Sequence, residues 1–324
     1  MVTRRTLVKG AVAAPVLGSA LLASARRVGA QDDPVIVGSK DFTEQFILAE
    51  IYAALLEEAD IPFELAKNLG GTGVAQAALE AGEISLYPEY PGTALVEVLG
   101  IEFATLLGSG TPGASPAASP AAGGSVDELV FETVRTQYEE QFGVTLLEQT
   151  PFNNTQALAM PRAEAEERGI TTISQLVEAA GDLTLSAPVD FEERQQDGLP
   201  ALQRVYGDFE FGEILAVAPG IKYQAIEDED AQVVVAFGTD AEIVALDLVV
   251  LEDDLGLFPP YHVAPFVRQD VLEAYPGIAD ALNQVAPLLT DEVMSGLNGQ
   301  VALEGRPEDE VAREFLTEQG LIGG

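Results

Sequence analysis

The sequence of 324 residues contains no cysteine, no tryptophan and a single histidine, His262. Without cysteine we expect no disulfide, no thiol nucleophile, no thiolate zinc site and no lipid anchor on an N-terminal cysteine. A nucleophile–histidine pair would have to use His262, and the sequence contains no G-x-S-x-G turn. We therefore expect a protein that is not an enzyme and needs no metal or organic cofactor. His262 is expected beside a turn after Pro259 and Pro260.

Cations are also scarce, because 16 lysines and arginines stand against 53 acids and give a formal net charge of −37. Five of those cations and none of the acids fall within residues 1–30, so the remainder carries 11 cations and a formal charge of −42. Such a chain lacks the cationic face that nucleic-acid binding requires. Charge repulsion of this size is tolerable where salt screens it, which fits a saline habitat as well as a generally acidic proteome.

Residues 1–30 have the pattern of an export signal. Arg4 and Arg5 lie in the run TRRTLVK, an apolar stretch follows, and the run VGA at 28–30 has the small residues of a cleavage site. The apolar stretch is too short and too rich in alanine to span a membrane, which takes about 20 apolar residues. The run TRRTLVK resembles a twin-arginine signal, although an ordinary secretory signal could also contain two arginines. Either signal predicts a mature protein in the periplasm or at the extracellular face of the membrane.

Beyond the signal, short apolar runs alternate with amphipathic segments. Strands are predicted for PVIVGSK, FELAKNL, ISLYPEY, DLTLSAP, AQVVVAFGTD and LDLVVLEDD. Helices are predicted for FTEQFILAEIYAALLEEA, which Asp41 or Thr43 could cap, for VAQAALEAG, and for residues 164–180, 198–206, 269–289 and 307–319. This alternation is typical of an α/β protein with mostly parallel sheets, in which ligands meet the carboxyl ends of the strands.

Polar and aromatic residues directly follow several of these strands, where a ligand would meet them. Lys40 and Arg194 could each bind a ligand carboxylate, or could form surface ion pairs with the many acids. Tyr90, Phe237 and Tyr261 could form an aromatic box for a quaternary ammonium, or could belong to the core. Their spacing alone leaves both interpretations open.

Two other patterns carry a weaker signal. The run Gly70 to Gly73 could bind an anion but is not followed by GK[ST], so a tight turn before a helix is favoured. The acidic runs at 227–230 and 252–254 lack the spacing of a calcium loop, so a solvated acidic face is favoured over a cation site.

Longer runs of residues carry a more specific signal than these single positions do. They are VGSKDFTEQFILAEIYAALLE, NLGGTGVAQAALEAGEISLYPEYPGTAL, FNNTQALAM, FEERQQDGLPAL, GTDAEI, LVVLEDDLGLFPPY, MSGLNGQV and VAREFL. In this order they span the chain beyond the signal, and they resemble the substrate-binding proteins of the glycine betaine/choline/carnitine (osmoprotectant) ABC transporter family. The combination of SKDFTEQ with YPEYPGT is the most specific part of the resemblance.

The resemblance implies a type II periplasmic-binding-protein-like α/β fold, in which two lobes joined by a two-crossing hinge close on a ligand in the cleft between them. The crossings are expected near residues 152–154 and 261–264. The expected limits are residues 34–153 and 263–324 for lobe one and 154–262 for lobe two. The low-complexity run 108–125 has no side chains for a core and is expected to be an insertion in lobe one.

The resemblance also implies which residues bind the ligand. Three match the positions that hold a ligand carboxylate: Lys40, Thr93 and Arg194. Four match an aromatic cage for a quaternary ammonium: Tyr90, Tyr261, Phe237 and Gln156. Phe237 keeps the ring without the hydroxyl, and Gln156 stands where tyrosine is more usual. Losing one cation–π contact of about 0.5–2 kcal/mol would weaken binding roughly 2- to 30-fold. Tyr87, in the strand before Tyr90, is expected in the core.

The implied function is capture of glycine betaine or a related quaternary-ammonium osmoprotectant by a monomer, followed by delivery to an ABC permease. Choline, carnitine, proline betaine and ectoine are alternative ligands, although Lys40 and Arg194 favour a solute that bears a carboxylate. An osmolyte-sensing receptor domain on the same fold is the alternative function.

Overall fold

The computed structural model describes residues 33–108 and 125–323. The predicted export signal at 1–30 lies outside these residues, as does nearly all of the predicted insertion at 108–125.

The described residues form ten strands and fourteen helices, with several short helical turns between them. The strands are β1 Val35–Gly38, β2 Phe63–Ala66, β3 Leu86–Glu89, β4 Val144–Leu146, β5 Gln156–Pro161, β6 Thr184–Pro188, β7 Glu213–Val217, β8 Val233–Phe237, β9 Leu248–Val250 and β10 Ala264–Arg268. The helices are α1 Thr43–Glu58, α2 Thr72–Ala81, α3 Pro91–Thr93, α4 Phe103–Leu106, α5 Val126–Phe142, α6 Arg162–Arg168, α7 Ile173–Ala179, α8 Leu199–Tyr206, α9 Gln224–Glu227, α10 Glu242–Ala245, α11 Gln269–Ala274, α12 Gly277–Asn283, α13 Asp291–Ala302 and α14 Glu308–Glu318. A π-helical turn, Ala94–Val98, continues α3.

The strands form two five-stranded sheets, one in each lobe. Their order is β2-β1-β3-β10-β4 in the first sheet and β7-β6-β8-β5-β9 in the second. Four strands of each sheet run in one direction and one is reversed, because β10 is antiparallel to both β3 and β4, and β5 is antiparallel to both β8 and β9. The predicted α/β fold with two lobes and mostly parallel sheets is therefore confirmed.

The two reversed strands are the ones that enter a sheet after the chain crosses between the lobes. β5 begins at Gln156, opposite Phe237 at the end of β8. β10 begins at Ala264, opposite Glu89 at the end of β3. A chain that arrives at the carboxyl edge of a parallel sheet can only continue away from that edge, so its strand must be antiparallel to its neighbours. Both crossings therefore meet the sheets at the edge where ligands bind in this class of fold.

The six predicted strands are present with shorter limits, and four further strands were not expected. β4 has only three residues, and β7 contains no buried residue, so neither gives a strong pattern. β10 contains Pro265, which has no N–H for the ladder, and proline usually indicates that a run is not a central strand. β5 also ends in a proline.

Two predicted helices are broken. The helix expected over 164–180 is interrupted at Gly169, whose φ of 69° ends α6 in the left-handed region. The helix expected over 269–289 is divided into α11, α12 and a short turn, with Pro276 between the two helices. The predicted side-chain cap of α1 is wrong, since the helix begins after Phe42 without one.

The core extends through both lobes and the crossings between them. The largest hydrophobic cluster contains Leu48 of α1, Leu185 of β6, and Phe152 and Tyr261 of the crossings. Tyr87 is fully buried in a second cluster, where its ring packs against Phe266, so its predicted place in the core is confirmed. The lobes therefore lie against each other in this structure.

The turn after β3 packs tightly against the second crossing. A Cβ atom on Gly92 would lie 2.3 Å from the carbonyl oxygen of Pro260. Because a backbone carbonyl cannot move aside as a flexible side chain can, Gly92→Ala should displace the turn and lower the free energy of unfolding by about 1–3 kcal/mol. Urea unfolding followed by circular dichroism measures this change.

Gly73→Ala is the matched control, since a Cβ atom there would meet no atom within 4 Å. Gly73 lies in α2, where alanine is favoured over glycine by about 0.5–1 kcal/mol, so this variant should be at least as stable as the wild type. Equal stability of the two variants would contradict the steric argument.

Candidate ligand-binding cleft

Lys40 follows β1 and is buried beside the end of β3. Its Nζ donates to Glu89 Oε1 at 2.6 Å and lies 3.4 Å from Thr72 Oγ1, at the start of α2. The same ammonium lies 4.7 Å from the centroid of the Tyr90 ring. Lys40 is therefore in an ion pair, as one interpretation of the sequence held, but the pair is buried and not at the surface. A ligand carboxylate at Lys40 would share this cation with Glu89.

Tyr90 follows β3 and connects Lys40 to a second buried acid. Its hydroxyl donates to Glu44 Oε1 at 2.6 Å, and its ring stacks on Phe42 with the centroids 6.4 Å apart. Glu44 lies in the first turn of α1. The ring of Tyr90 is thus fixed at its hydroxyl end by a carboxylate and on one side by a second ring.

Glu44 accepts hydrogen bonds from four different segments of the chain. Besides Tyr90, Asn154 donates to Oε1 at 2.9 Å, while Thr239 and Asn298 donate to Oε2. Burial raises the pKa of Glu44 above its ordinary value, and the hydrogen bonds from Thr239, Tyr90 and Asn298 act in the opposite direction. One carboxylate therefore joins lobe one, the first crossing and the loop after β8.

Asp197 is a second buried acid that collects hydrogen bonds, on the side of the cleft opposite Glu44. Arg194 donates to it in a bidentate manner, with Nε 2.8 Å from Oδ1, and the hydroxyl of Tyr261 donates to Oδ2 at 3.3 Å. The amide nitrogen of Gln156 donates to the backbone carbonyl of Asp197. Asp197 is fully buried, so Arg194 also forms a partly buried ion pair and not a surface one. Three of the seven predicted site residues thus meet at one aspartate.

Phe237 ends β8, and a lysine lies over its ring. Lys222 Nζ is 4.3 Å from the ring centroid and 2.7 Å from Asp240 Oδ2. Asp240 also accepts from the hydroxyl of Tyr223 at 2.6 Å and from the backbone N–H of Phe237 at 3.0 Å. One face of the Phe237 ring is therefore already in contact with a cation of the protein.

Thr93 is buried in the turn that follows Tyr90. Pro91 occupies the first position of this turn, where its fixed φ suits a helix start. Since Gly92 lies against Pro260 of the second crossing, the turn brings Thr93 close to the segment that carries Tyr261.

The structure gathers the predicted residues into connected groups. Lys40 and Tyr90 form one group, and Arg194, Tyr261 and Gln156 form another around Asp197. Phe237 joins the second group because it pairs with Gln156 in the sheet. Tyr90 and Tyr261 also belong to the largest hydrophobic cluster, so they are part of the core as well as of the cleft. Their roles toward a ligand remain predictions.

Several residues of the cleft were not found from the sequence. They are Glu44, Glu89, Asn154, Asp197, Lys222 and Asn298. A local signal existed for Asp197, which lies three residues after Arg194. Thr239 and Asp240 were indicated by the sequence, because they end the run AQVVVAFGTD at the edge where a ligand is expected. Glu44 gave no signal, since a glutamate in the first turn of a helix usually faces solvent.

His262 makes its contacts away from these groups. Its Nδ1 lies 2.8 Å from the carbonyl oxygen of Phe152, and its Nε2 lies 3.8 Å from Asp127. It lines an open groove of about 840 Å³ beside the start of α5.

The predicted glycine turn is confirmed, since Gly70 has a φ of 116° and α2 follows. Residues 33–108 and 125–323 contain no cluster of acids or histidine that could hold a metal ion.

A family model described as the substrate-binding domain of an ABC-type glycine betaine transport system matches residues 33–318. The chain belongs to this family. Its members are extracytoplasmic substrate-binding components of ABC transporters, and their role is binding without catalysis. Within the part of the chain that the structure describes, no helix is long and apolar enough to cross a membrane.

Two curated relatives illustrate the range of this family. The glycine betaine-binding protein YehZ of Escherichia coli (strain K12) is 31% identical over 297 residues, which is 89% of this chain and 91% of that protein. The ergothioneine transport permease/ergothioneine binding protein EgtU of Helicobacter pylori (strain G27) is 32% identical over 306 residues. That alignment covers 93% of this chain, which spans only about half, 51%, of the relative.

Solved structures agree with this assignment. The structure described as apo YehZ from Escherichia coli has a TM-score of 0.63 and 28% identity, covering 90% of this chain and 100% of that one. A crystal structure described as a glycine betaine/carnitine/choline ABC transporter has a TM-score of 0.68 at 24% identity, covering 89% of this chain and 100% of that one. The second likeness shows the fold alone.

Glu97 brings a further acid from lobe one to Asp197 of lobe two. Partial desolvation, followed by the charge of Asp197, raises the pKa of Glu97 to about 7, while Arg194 acts in the opposite direction. The pKa is thus higher in the folded protein than its ordinary value of 4.5. The stability that this group contributes is fully present below about pH 4.5 and is lost as the pH rises through about 7.

Glu97→Gln should remove this dependence on pH. At pH 4 the variant should be about as stable as the wild type, because the side chain of Glu97 is then largely uncharged in both the folded and the unfolded state. At pH 8 the variant should unfold about 2–4 °C higher, since the charge facing Asp197 is gone but solvent screens part of that repulsion at the exposed Glu97 side chain. Thermal unfolding at both pH values tests this prediction.

Glu83→Gln is the control, because it removes one charge from an exposed turn of the same lobe. If Glu83→Gln raised the unfolding temperature at pH 8 as much as Glu97→Gln does, the increase would reflect the lower net charge of the protein. That result would contradict a local effect at Asp197.

Proposed function

We propose that the protein captures a small solute with a quaternary ammonium group, such as glycine betaine, between its two lobes and delivers it to an ABC permease. The supporting observation is the position of the two reversed strands. β5 begins beside the end of β8, and β10 begins beside the end of β3, so the predicted rings and cations of both lobes come to the same edge. Membership of the family gives this arrangement its function.

In the proposed complex the ring faces of Tyr90, Tyr261 and Phe237 contact the ammonium group. Tyr90 and Tyr261 each donate their hydroxyl to a buried carboxylate, which fixes both rings in position. The Phe237 ring offers only one face, because Lys222 lies over the other. Lys40, Thr93 and Arg194 hold the carboxylate of the solute, with the two cations shared between it and their own acids.

Gln156 distinguishes between solutes of this class. Its amide nitrogen is used by the carbonyl of Asp197, and its Oε1 is buried with no hydrogen-bond partner among the described residues. An unpaired buried acceptor is costly, so a solute that donates a hydrogen bond would gain from reaching it. Glycine betaine has no donor, whereas choline, carnitine and ergothioneine each have at least one. The EgtU relative is named for ergothioneine, and this solute is therefore a second candidate ligand.

Lobe one comprises residues 34–153 and 263–324 with the insertion at 108–125, and lobe two comprises residues 154–262. The protein acts as a monomer, is exported by the signal at 1–30, and carries no lipid on cysteine. The β4–β5 and β9–β10 connections support the lobe limits, because each leads from one sheet to the other.

Calorimetric titration tests the function directly. Wild-type protein is titrated with glycine betaine, choline, carnitine, ergothioneine and ectoine at low and high salt. Tyr90→Leu and Tyr261→Leu each replace a ring by an aliphatic side chain, and each should weaken binding about 2- to 30-fold because one cation–π contact is lost. Binding should persist at high salt, since a desolvated cation is screened less than an exposed one.

Tyr206→Leu is the matched control, because Tyr206 lies at the end of α8 and its hydroxyl binds Asp253, outside the groups around Glu44 and Asp197. This variant should bind as the wild type does. The proposal would be wrong if no quaternary-ammonium solute bound the wild type, or if both cleft variants kept full affinity while remaining folded.

A further inference from the structure

Glu44 differs from the other buried acids of the cleft in forming no ion pair, since the Lys40 ammonium, which lies 4.7 Å from the centroid of the Tyr90 ring, is paired with Glu89. Glu89 is paired with Lys40, Asp197 with Arg194, and Asp240 with Lys222. Within residues 33–108 and 125–323, Glu44 is in no ion pair, and its four hydrogen-bond donors are uncharged. Asp240 adds a further negative charge nearby.

An isolated carboxylate in a buried site is costly, even when its oxygens are fully hydrogen-bonded. Glu44 has only 3% of its surface exposed, so water cannot replace a counter-ion. A positive charge brought into the cleft by a ligand would offset this cost. The position of that charge is indicated by Tyr90, whose hydroxyl lies 2.6 Å from Glu44 Oε1 and whose ring is a predicted wall of the cage.

We propose that Glu44 provides the counter-charge for the ammonium group of the bound solute, acting through Tyr90. A phenol hydroxyl that donates to a carboxylate places negative charge at one end of the ring and strengthens the negative potential over its face. Glu44 thereby makes the cleft prefer a cationic head over an uncharged head of the same shape. This inference rests on the proposed function.

The size of the effect follows from the distance. A carboxylate behind a tyrosine ring lies about 7–8 Å from an ammonium on the face of that ring. At this separation, with the effective dielectric constant of about 20 that suits protein sites, the attraction corresponds to a change in affinity of about 30- to 50-fold.

Glu44→Gln removes the charge and keeps the shape. Its amide can be accommodated, because the side-chain oxygen of Asn298 is buried without a partner in the described structure and can turn to accept the new N–H group. We expect this variant to bind glycine betaine about 30- to 50-fold more weakly than the wild type does. Its affinity for 3,3-dimethylbutanoate, in which carbon replaces the charged nitrogen, should change less than 3-fold.

Two further variants separate charge from structure. Glu50→Gln removes a charge from the outer part of the same helix, where Glu50 binds Lys67, and should leave both affinities unchanged. Thr239→Val removes one hydrogen bond from Glu44 and leaves its carboxyl group in place. If Glu44 served only to hold the lobes together, Glu44→Gln and Thr239→Val would each weaken the binding of glycine betaine and of 3,3-dimethylbutanoate to the same extent, and this result would overturn the inference.

Calorimetry gives each affinity, and thermal unfolding shows that each variant is folded. Equal losses for glycine betaine and 3,3-dimethylbutanoate in Glu44→Gln would also overturn the inference while leaving the proposed function in place. If no quaternary-ammonium solute bound the wild type, the proposed function would fall and this inference with it.

Discussion

A carboxylate can be buried only if its oxygens find donors, and the arrangement of the two lobes satisfies this requirement at Glu44. The donors come from places that are far apart in the sequence: the turn after β3, the first crossing, the loop after β8 and helix α13. Opening the cleft would separate Glu44 from Thr239 and let water take the place of that hydroxyl. One charge in the first turn of α1 therefore links the two lobes in this structure and fixes the orientation of a ring that the ligand is proposed to contact.

The two crossings between the lobes explain why these donors can all reach the carboxylate of Glu44. Each crossing delivers the chain to the carboxyl edge of a sheet, so the first strand after it runs backwards beside the central strands. Residues at the start of a reversed strand then lie next to residues at the end of a forward strand, as Gln156 lies next to Phe237. The hinge is thus part of the proposed binding edge itself. Changes in the crossings are expected to alter the position of ligand contacts as well as the movement of the lobes.

The sequence predicts the parts of this structure that depend on local pattern. Alternating apolar runs identify the forward strands, and their ends indicate where Lys40, Tyr90 and Phe237 lie. The ion pair of Arg194 with Asp197 could also have been inferred, because the two residues are three positions apart. The partners of Glu44 could not, since Thr239 and Asn298 are 195 and 254 residues away and their proximity depends on the topology of both sheets. Lys222 was missed for the same reason, because nothing in its spacing connects it to the ring of Phe237.

The distribution of cations supports a role for electrostatics in this cleft. The chain beyond residue 30 has only three lysines, and two of them, Lys40 and Lys222, are buried here with side chains 5% and 6% exposed. Burying an ammonium has a large desolvation cost, which a surface ion pair would avoid. The many exposed acids are screened by salt, whereas charges in a closed cleft are screened much less. A protein with this surface can therefore tolerate strong changes in ionic strength while the balance of charges around Tyr90, Phe237 and Glu44 stays nearly constant.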